Sequence, residues 1–349
     1  MKPISVLWLG VVALALLLYF PNDQALAQSP QDTAAQRQQT QPYNNAPVWR
    51  EVRKEGREHF TTIRGRETGV LVQTYGETWR ELRNGWIIPI AVTLIVAFAC
   101  AIGIFYLGRG SIKVHDRPTG RLIQRFTVPE RWTHWTMAIS FCLLGVTGLV
   151  MMVGKYVLLP VIGYTLFAWL AQIAKNLHNF IGPVFLASVV LFAVMFVRDT
   201  LPHRYDFTWF LKAGGMVSGE HVPSGKFNAG EKLWFWGGVV VLASIACASG
   251  LVMDFPNFNQ SRLVMILANV IHSVAAGFIM ALSLFHIYMG SIGVEGAYEG
   301  MRYGYVDESW AKEHHQYWYD DVKAGKVQAG SAEGTPEAPR LVHAPTDPT

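Results

Sequence analysis

The sequence alternates between long uncharged apolar blocks and charged connections. No charged residue occurs from Trp86 to Leu107, and further apolar blocks cover about 132–154, 176–197 and 233–252, with a last one inside 263–294. A helix needs about 20 residues to cross a hydrocarbon layer. The pattern predicts five transmembrane helices.

A sixth uncharged stretch, 156–174, is interrupted by Pro160 and Gly163. Counting it as a span would leave Lys155 and Lys175 as the only connecting residues, which is shorter than helix hairpins usually allow. We therefore expect an interfacial or re-entrant segment here.

The N-terminus predicts a signal peptide over residues 1–27. Lys2 precedes an apolar run, and the small residues Ala25-Leu26-Ala27 follow it, which is the pattern of a cleavage site. An uncleaved anchor is the alternative. Residues 28–85 would then form an exported, partly flexible segment, because 28–47 are rich in Gln, Pro, Asn and Ala.

Basic residues lie in two of the connections, and cytoplasmic loops are the ones enriched in Lys and Arg. The loop 108–131 and the loop after the third span carry Arg109, Lys113, Arg117, Arg121, Arg125, Arg131, Arg198, Arg204, Lys212, Lys226 and Lys232. Both loops are predicted to be cytoplasmic, and so is the tail 295–349. The net charge of +4 is too small to indicate nucleic-acid binding.

Four of the 11 histidines lie in predicted spans: His134, His178, His272 and His286. His272 and His286 are 14 positions apart, close to four helical turns, so they share one face about 21 Å apart along the axis. His134 begins its span at the depth of His286, and His178 begins its span at the depth of His272. The sequence therefore predicts two facing pairs.

Two imidazoles from different helices can hold one porphyrin iron inside a bundle. The chain has three cysteines and no C-x-x-C-H motif, so a haem here would be non-covalent. The alternative for any single histidine is a hydrogen bond to a neighbouring helix. Small residues near the histidines would clear room for a porphyrin but also fit ordinary helix packing: Gly145, Gly148, Gly182, Ser273, Ala275, Ala276 and Gly277.

Six segments resemble the membrane cytochrome b (γ) subunit of respiratory formate dehydrogenases. They are Arg131–Trp135, Asn176–Gly182, Phe227–Lys232, Ile271–Gly277, His286–Met289 and Trp310–His315, within about residues 125–320. The resemblance implies an all-α membrane protein, a four-helix di-haem bundle over 132–294. The helix 86–107 is extra to it.

The resemblance also implies ligands and partners. His178 with His272 would hold the haem b on the exported side, and His134 with His286 the cytoplasmic one. An iron–sulfur β subunit and a catalytic α subunit with a molybdenum or tungsten pterin would deliver electrons from formate. The chain itself would be a non-catalytic electron-transfer subunit of the bacterial inner membrane, reducing menaquinone or ubiquinone.

Asn228, Gly230 and His286 correspond to the family's quinone site. Asn228 and Glu231 also have the spacing of a capping box that opens the fourth span. Both roles can hold together.

Two other functions compete with this interpretation. The chain could serve a hydrogenase or a thiosulfate reductase as its cytochrome b subunit. It could also be a haem-free anchor or transporter, although we find neither an internal repeat nor a broken helix pair in its favour.

Overall fold

The computed structural model describes residues 75–216 and 218–327. The predicted signal peptide, most of the exported segment and the end of the tail lie outside these residues. The chain divides into two compact units, one of residues 1–89 and 259–266 and the other of residues 90–258 and 267–349.

The described residues of the first unit include the beginning of the first membrane helix. Helix α1 covers Gly76–Leu82, and a π-helical turn, Arg83–Ile87, leads into α2, Ile88–Arg109. The helix thus begins at Gly76, before Trp86, where the first span is predicted to start, and the added part carries charged residues such as Glu77 and Arg80.

Five helices in the described part of the chain are long and apolar enough to cross a membrane, as predicted. After α2 come α3, Val128–Val157, and α4, Leu159–Phe196. The fourth consists of α6, Ala229–Leu233, a π-helical stretch, Trp234–Ala243, and α7, Ser244–Asp254. The fifth is α8, Arg262–Tyr288, with a π-helical end, Met289–Gly293. The short α5 covers Arg204–Leu211.

The segment 156–174, predicted to be interfacial or re-entrant, is mostly helical in the structure, and its location in the membrane stays a prediction. Only Gly163 leaves helical geometry, with φ 75° and ψ 172°, and the chain beyond it belongs to α4. Glycine adopts this positive φ without the steric penalty of other residues. Helix α4 therefore begins well before Asn176, where the third span is predicted to start.

Within the second unit, the membrane helices pack through an apolar core. Phe185 and Val189 of α4, Val239 and Ala243 of the π-helical stretch, and Ile279 of α8 form one buried cluster. Many large apolar side chains remain exposed on the outer faces, as expected for helices surrounded by lipid.

Helix α2 also packs on α8 within this unit. A Cβ at Gly277 would lie 3.0 Å from the Cβ of Ala91, so the two backbones approach closely. Small residues permit such contacts between membrane helices. Gly277 therefore serves helix packing, and the predicted role in clearing a porphyrin is not needed to explain it.

The loop before α3 and the tail after α8 form one folded cap. Strand β1, Leu122–Gln124, pairs antiparallel with β2, Tyr305–Asp307. The tail continues in three short helices, α9 (Ala297–Tyr303), α10 (Glu308–His314) and α11 (Gln316–Lys323). Its buried core contains Ile123, Val306, Trp310, Ala311 and Trp318.

This small sheet and an isolated bridge between Ile112 and Val294 are the β-structure in the part of the chain that the structure describes. Buried Arg125 connects the cap to the bundle, since its guanidinium donates to the Lys226 carbonyl at 2.8 Å and pairs with Glu231 at 3.1 Å.

Candidate functional site

The four membrane histidines lie in two close pairs. The ring centres of His178 on α4 and His272 on α8 are 6.0 Å apart. Those of His134 on α3 and His286 on α8 are 6.3 Å apart. Since 14 residues separate His272 from His286 on one helix, the pairs are about 21 Å apart along its axis.

The His178/His272 pair is fixed by polar groups of neighbouring helices. His272 Nδ1 lies 2.8 Å from the Ala246 carbonyl of α7, which can only accept, so Nδ1 carries the proton. His178 Nδ1 lies 2.9 Å from the Thr147 hydroxyl of α3, which donates to the Leu143 carbonyl and is free to accept from the ring. In both rings Nε2 is left for another partner.

The His134/His286 pair is surrounded by aromatic rings instead. Trp234 stacks on His286 with ring centres 5.1 Å apart and planes 15° apart. His134 lies against Trp135 and Phe192. Its Nδ1 is buried without a hydrogen-bond partner. A structural interhelical hydrogen bond at Nδ1 therefore does not explain His134.

Both separations fit two imidazoles on opposite sides of one iron. An imidazole nitrogen lies about 2 Å from a bound metal and its ring centre roughly 1 Å further away, which places two such ring centres roughly 6 Å apart. No group of three or more metal-binding side chains occurs in the part of the chain that the structure describes. Pairs of histidines are what a haem needs, because the porphyrin supplies the other four ligands.

Asn228 is the N-cap of α6 and completes the predicted capping box. Its Oδ1 accepts from the Glu231 amide at 2.9 Å, and the Glu231 carboxylate accepts from the Asn228 amide at 2.8 Å. The cap uses the oxygen of the side chain and leaves its NH₂ group. A Cβ at Gly230 would lie 2.9 Å from the Trp209 ring, so glycine allows that ring to pack against α6.

A cavity of about 600 Å³ lies beside the N-cap of α6, between the loop before α3, the loop after α4 and the tail. Asn228 and Trp209 line it together with polar side chains, among them Arg109, His115, His221, Glu313 and His314. Burial lowers the pKa of His314 to about 4, and its Nε2 has no hydrogen-bond partner. His314 is therefore a neutral imidazole at pH 7.

Known proteins match the same part of the chain. The family model of the prokaryotic cytochrome b561 matches residues 125–298. The formate dehydrogenase cytochrome b556(fdo) subunit of Escherichia coli K12 is 31% identical over 210 residues, which are 58% of this chain and 93% of that protein.

Two further relatives carry similar names. The nitrate-inducible cytochrome b556(Fdn) subunit of the same strain is 28% identical over 225 residues, 61% of this chain and 98% of that protein. A formate dehydrogenase cytochrome b556 subunit of Haemophilus influenzae is 28% identical over 217 residues, 59% of this chain and 86% of that protein.

The chain belongs to the formate dehydrogenase cytochrome b556 subunits. It is thus a multi-pass membrane cytochrome b of the formate dehydrogenase family. The matched region includes the four membrane histidines and Asn228, whereas α1 and α2 precede the residues of the family model.

Two polar residues of this cytochrome were missed from the sequence: Thr147 and Ser249. Ser249 is placed at His272 in the same way as Thr147 is placed at His178. Its hydroxyl lies 3.4 Å from His272 Nδ1 and donates to the Ile245 carbonyl at 2.6 Å. A signal was present, because Thr147–Met151 reads T-G-L-V-M and Ser249–Met253 reads S-G-L-V-M.

Gly148 and Gly250, which directly follow Thr147 and Ser249, lie beside the imidazoles. A Cβ at Gly148 would lie 3.5 Å from His178 Cε1, and a Cβ at Gly250 would lie 3.3 Å from His272 Cε1. Gly148 was predicted as a clearing residue and does lie next to a histidine. Gly182, also predicted, has open space around its Cα.

Proposed function

We propose that this chain carries electrons across the bacterial inner membrane, from a partner iron–sulfur subunit to a quinone. His178 with His272, and His134 with His286, would each hold one haem b, which supplies reversible one-electron transfer when bound. The observation that carries this proposal is the pair of histidine separations, 6.0 and 6.3 Å, at two depths of one bundle. The chain itself would not oxidise formate; a molybdenum- or tungsten-pterin α subunit would.

The protein would position the histidines and keep water away from the two haem sites. Histidine rings on α3, α4 and α8 converge inside the bundle, where apolar side chains such as Phe185 and Ile279 exclude water. The 21 Å spacing along α8 distributes the two sites over most of a hydrocarbon core of about 30 Å. Electrons can therefore cross in two steps rather than one.

The orientation follows from the charges. The cap and the second loop hold most of the basic connecting residues and lie at the end of the bundle that contains His134 and His286. By the positive-inside rule we place this end, and the C-terminus, in the cytoplasm. Moving each electron to that side stores about 2.3 kcal/mol per 100 mV of membrane potential.

The quinone would bind at this end, near Asn228, Gly230 and His286. A quinone that accepts two electrons also takes up two protons, so its head group needs a hydrogen-bond donor and a path to water. The NH₂ group of Asn228 is the donor that the helix cap leaves available. The polar cavity beside it, with neutral His314 and exposed His115, would give access to cytoplasmic protons.

The test is to purify the chain from membranes with its bound partners. We expect co-purification of an iron–sulfur subunit and a pterin subunit, two non-covalent low-spin haems b per chain, reduction by formate and reoxidation by added quinone. A chain that holds one haem or none would overturn the paired-ligand assignment. Partners that oxidise hydrogen or reduce thiosulfate, in place of formate oxidation, would replace the proposed complex.

A further inference from the structure

Thr147 and Ser249 form the same arrangement on two different helix hairpins. Each hydroxyl donates to the carbonyl four residues earlier, Leu143 at 2.7 Å and Ile245 at 2.6 Å. Ser and Thr that bond backwards in this way bend a helix slightly and tilt nearby carbonyls outward. The hydroxyl oxygen is then left with lone pairs that face the next helix.

Each hydroxyl also lies beside one imidazole nitrogen. Thr147 Oγ1 is 2.9 Å from His178 Nδ1, and Ser249 Oγ is 3.4 Å from His272 Nδ1. At His272 the Ala246 carbonyl, three residues before Ser249, accepts from the same Nδ1 at 2.8 Å. The following glycine, Gly148 or Gly250, lies beside the same ring.

This arrangement has an electronic consequence for a histidine that ligates iron. A hydrogen bond from Nδ1–H to a protein acceptor fixes the tautomer of the ring and raises the basicity of Nε2, the nitrogen that would bind the iron. A more basic ligand stabilises the ferric over the ferrous state. The second pair differs, because His134 Nδ1 has no acceptor and His286 is stacked on Trp234.

We propose that Thr147 and Ser249 are positioning residues that present Nε2 of His178 and His272 to a haem and lower its reduction potential below that of the haem at His134 and His286. This inference rests on the proposed function. A lower reduction potential at the His178/His272 site makes electron transfer to the His134/His286 site favourable, in the direction of the quinone. The T-G-L-V-M and S-G-L-V-M segments are its sequence signature.

The experiment uses the complete complex in membranes or detergent. Thr147→Val removes the hydroxyl at nearly constant volume, and Thr147→Ser restores it. Thr200→Val and Ser188→Ala are matched controls, since both residues are buried and their hydroxyls donate to earlier carbonyls, Phe196 and Phe185, rather than to a histidine. The readouts are haem per chain, the midpoint potential of each haem, and the low-spin electron paramagnetic resonance signals.

We expect Thr147→Val to raise the potential and alter the signal of one haem, the one that His178→Ala removes, while Thr147→Ser and both controls match the wild type. Ser249→Ala should shift the same haem by less, because its hydroxyl lies 3.4 Å away and the Ala246 carbonyl remains. Loss of that haem alone in Thr147→Val also supports a positioning role.

Unchanged potentials and signals in a Thr147→Val complex with two haems would overturn the proposal, as would equal shifts in both haems. So would a higher potential for the haem left in His134→Ala than for the one left in His178→Ala. These outcomes differ from failure of the proposed function, in which the wild-type complex itself lacks two haems.

Discussion

The two histidine pairs have almost the same ring separation but different surroundings. The rings of His178 and His272 are held by hydrogen bonds to acceptors on α3 and α7, with glycines beside the rings. His134 and His286 are held by aromatic packing, with Trp234 stacked on one ring and a buried nitrogen unpaired on the other. A similar separation of two imidazole rings can thus be built with hydrogen bonds or with aromatic packing alone.

The difference also sets what each pair can tolerate. A hydrogen bond fixes the tautomer of a ring and is lost when one donor or acceptor atom is removed. Aromatic packing is disturbed by a change in side-chain volume, because protein interiors are close-packed and a ring has no space to move. The following four changes separate the two pairs, from the largest expected effect to the smallest.

The largest effect should come from the histidines. His178→Ala or His272→Ala should remove one haem, and His134→Ala or His286→Ala the other, since a six-coordinate haem loses an axial ligand. Each variant should stop electron flow from formate to quinone. Haem content and the spectra of the remaining haem measure this; a variant that keeps both haems would break the pairing, and His315→Gln in the cap is a control that should keep two.

The second effect should come from Gly238→Ala at the aromatic pair. An added Cβ would lie 2.5 Å from Trp234 Cε3, so the indole must leave its place against His286. Overpacking of this kind destabilises by about 1–3 kcal/mol. Loss of absorbance of each haem on heating measures it, and only the haem at His134 and His286 should become less stable.

Gly148→Ala is the matched control at the polar pair. Its Cβ would make an ordinary contact of 3.5 Å with His178 Cε1, so we expect little change. If both variants weakened the same haem, the assignment of Trp234 to the aromatic pair would be wrong.

The third effect concerns Asn228 at the aromatic end. Asn228→Asp should keep the helix cap, since Asp caps as well as Asn, but it lacks the NH₂ group. We expect both haems to bind and to be reduced by formate, with slower reoxidation by quinone in stopped-flow measurements.

Asn228→Ala separates the cap from the donor, because it loses both and should cost about 1 kcal/mol of stability in addition. Reoxidation at the wild-type rate in Asn228→Asp would leave Asn228 as a cap alone.

The smallest effect is the response to acid of the folded cap that the loop before α3 and the tail form. Burial lowers the pKa of His314 to about 4 and that of His315 well below its ordinary value. The unfolded cap would bind protons below about pH 6.5 that the folded cap does not. This contribution is present above pH 6.5 and is lost as pH falls toward 4, on the order of 1–3 kcal/mol.

Hydrogen exchange of α10 and α11 between pH 7 and 5 would measure this loss. His314→Gln should flatten the profile, because Gln does not titrate. Exchange that rises first around His178 and His272 would contradict the location of the effect at the cap end.

Much of the fold could be predicted from the sequence because lipid imposes a simple rule. Uncharged blocks long enough to span, such as Trp86–Leu107, must form helices that satisfy their own backbone. The capping box at Asn228 was equally local, since its residues are three positions apart. The helical conformation on both sides of Gly163 in the segment 156–174 was not predicted, because Pro160 and Gly163 are residues that commonly interrupt helices.

The sequence by itself determined the number of membrane helices, the shared face of His272 and His286, and the cap of α6, since each depends on spacing within one helix. Only the tertiary structure decided what surrounds each imidazole. Thr147 reaches His178 from another helix, Trp234 reaches His286, and β1 pairs with β2 across 180 residues of chain. Such contacts depend on how helices pack in space, which the spacing within each helix does not specify.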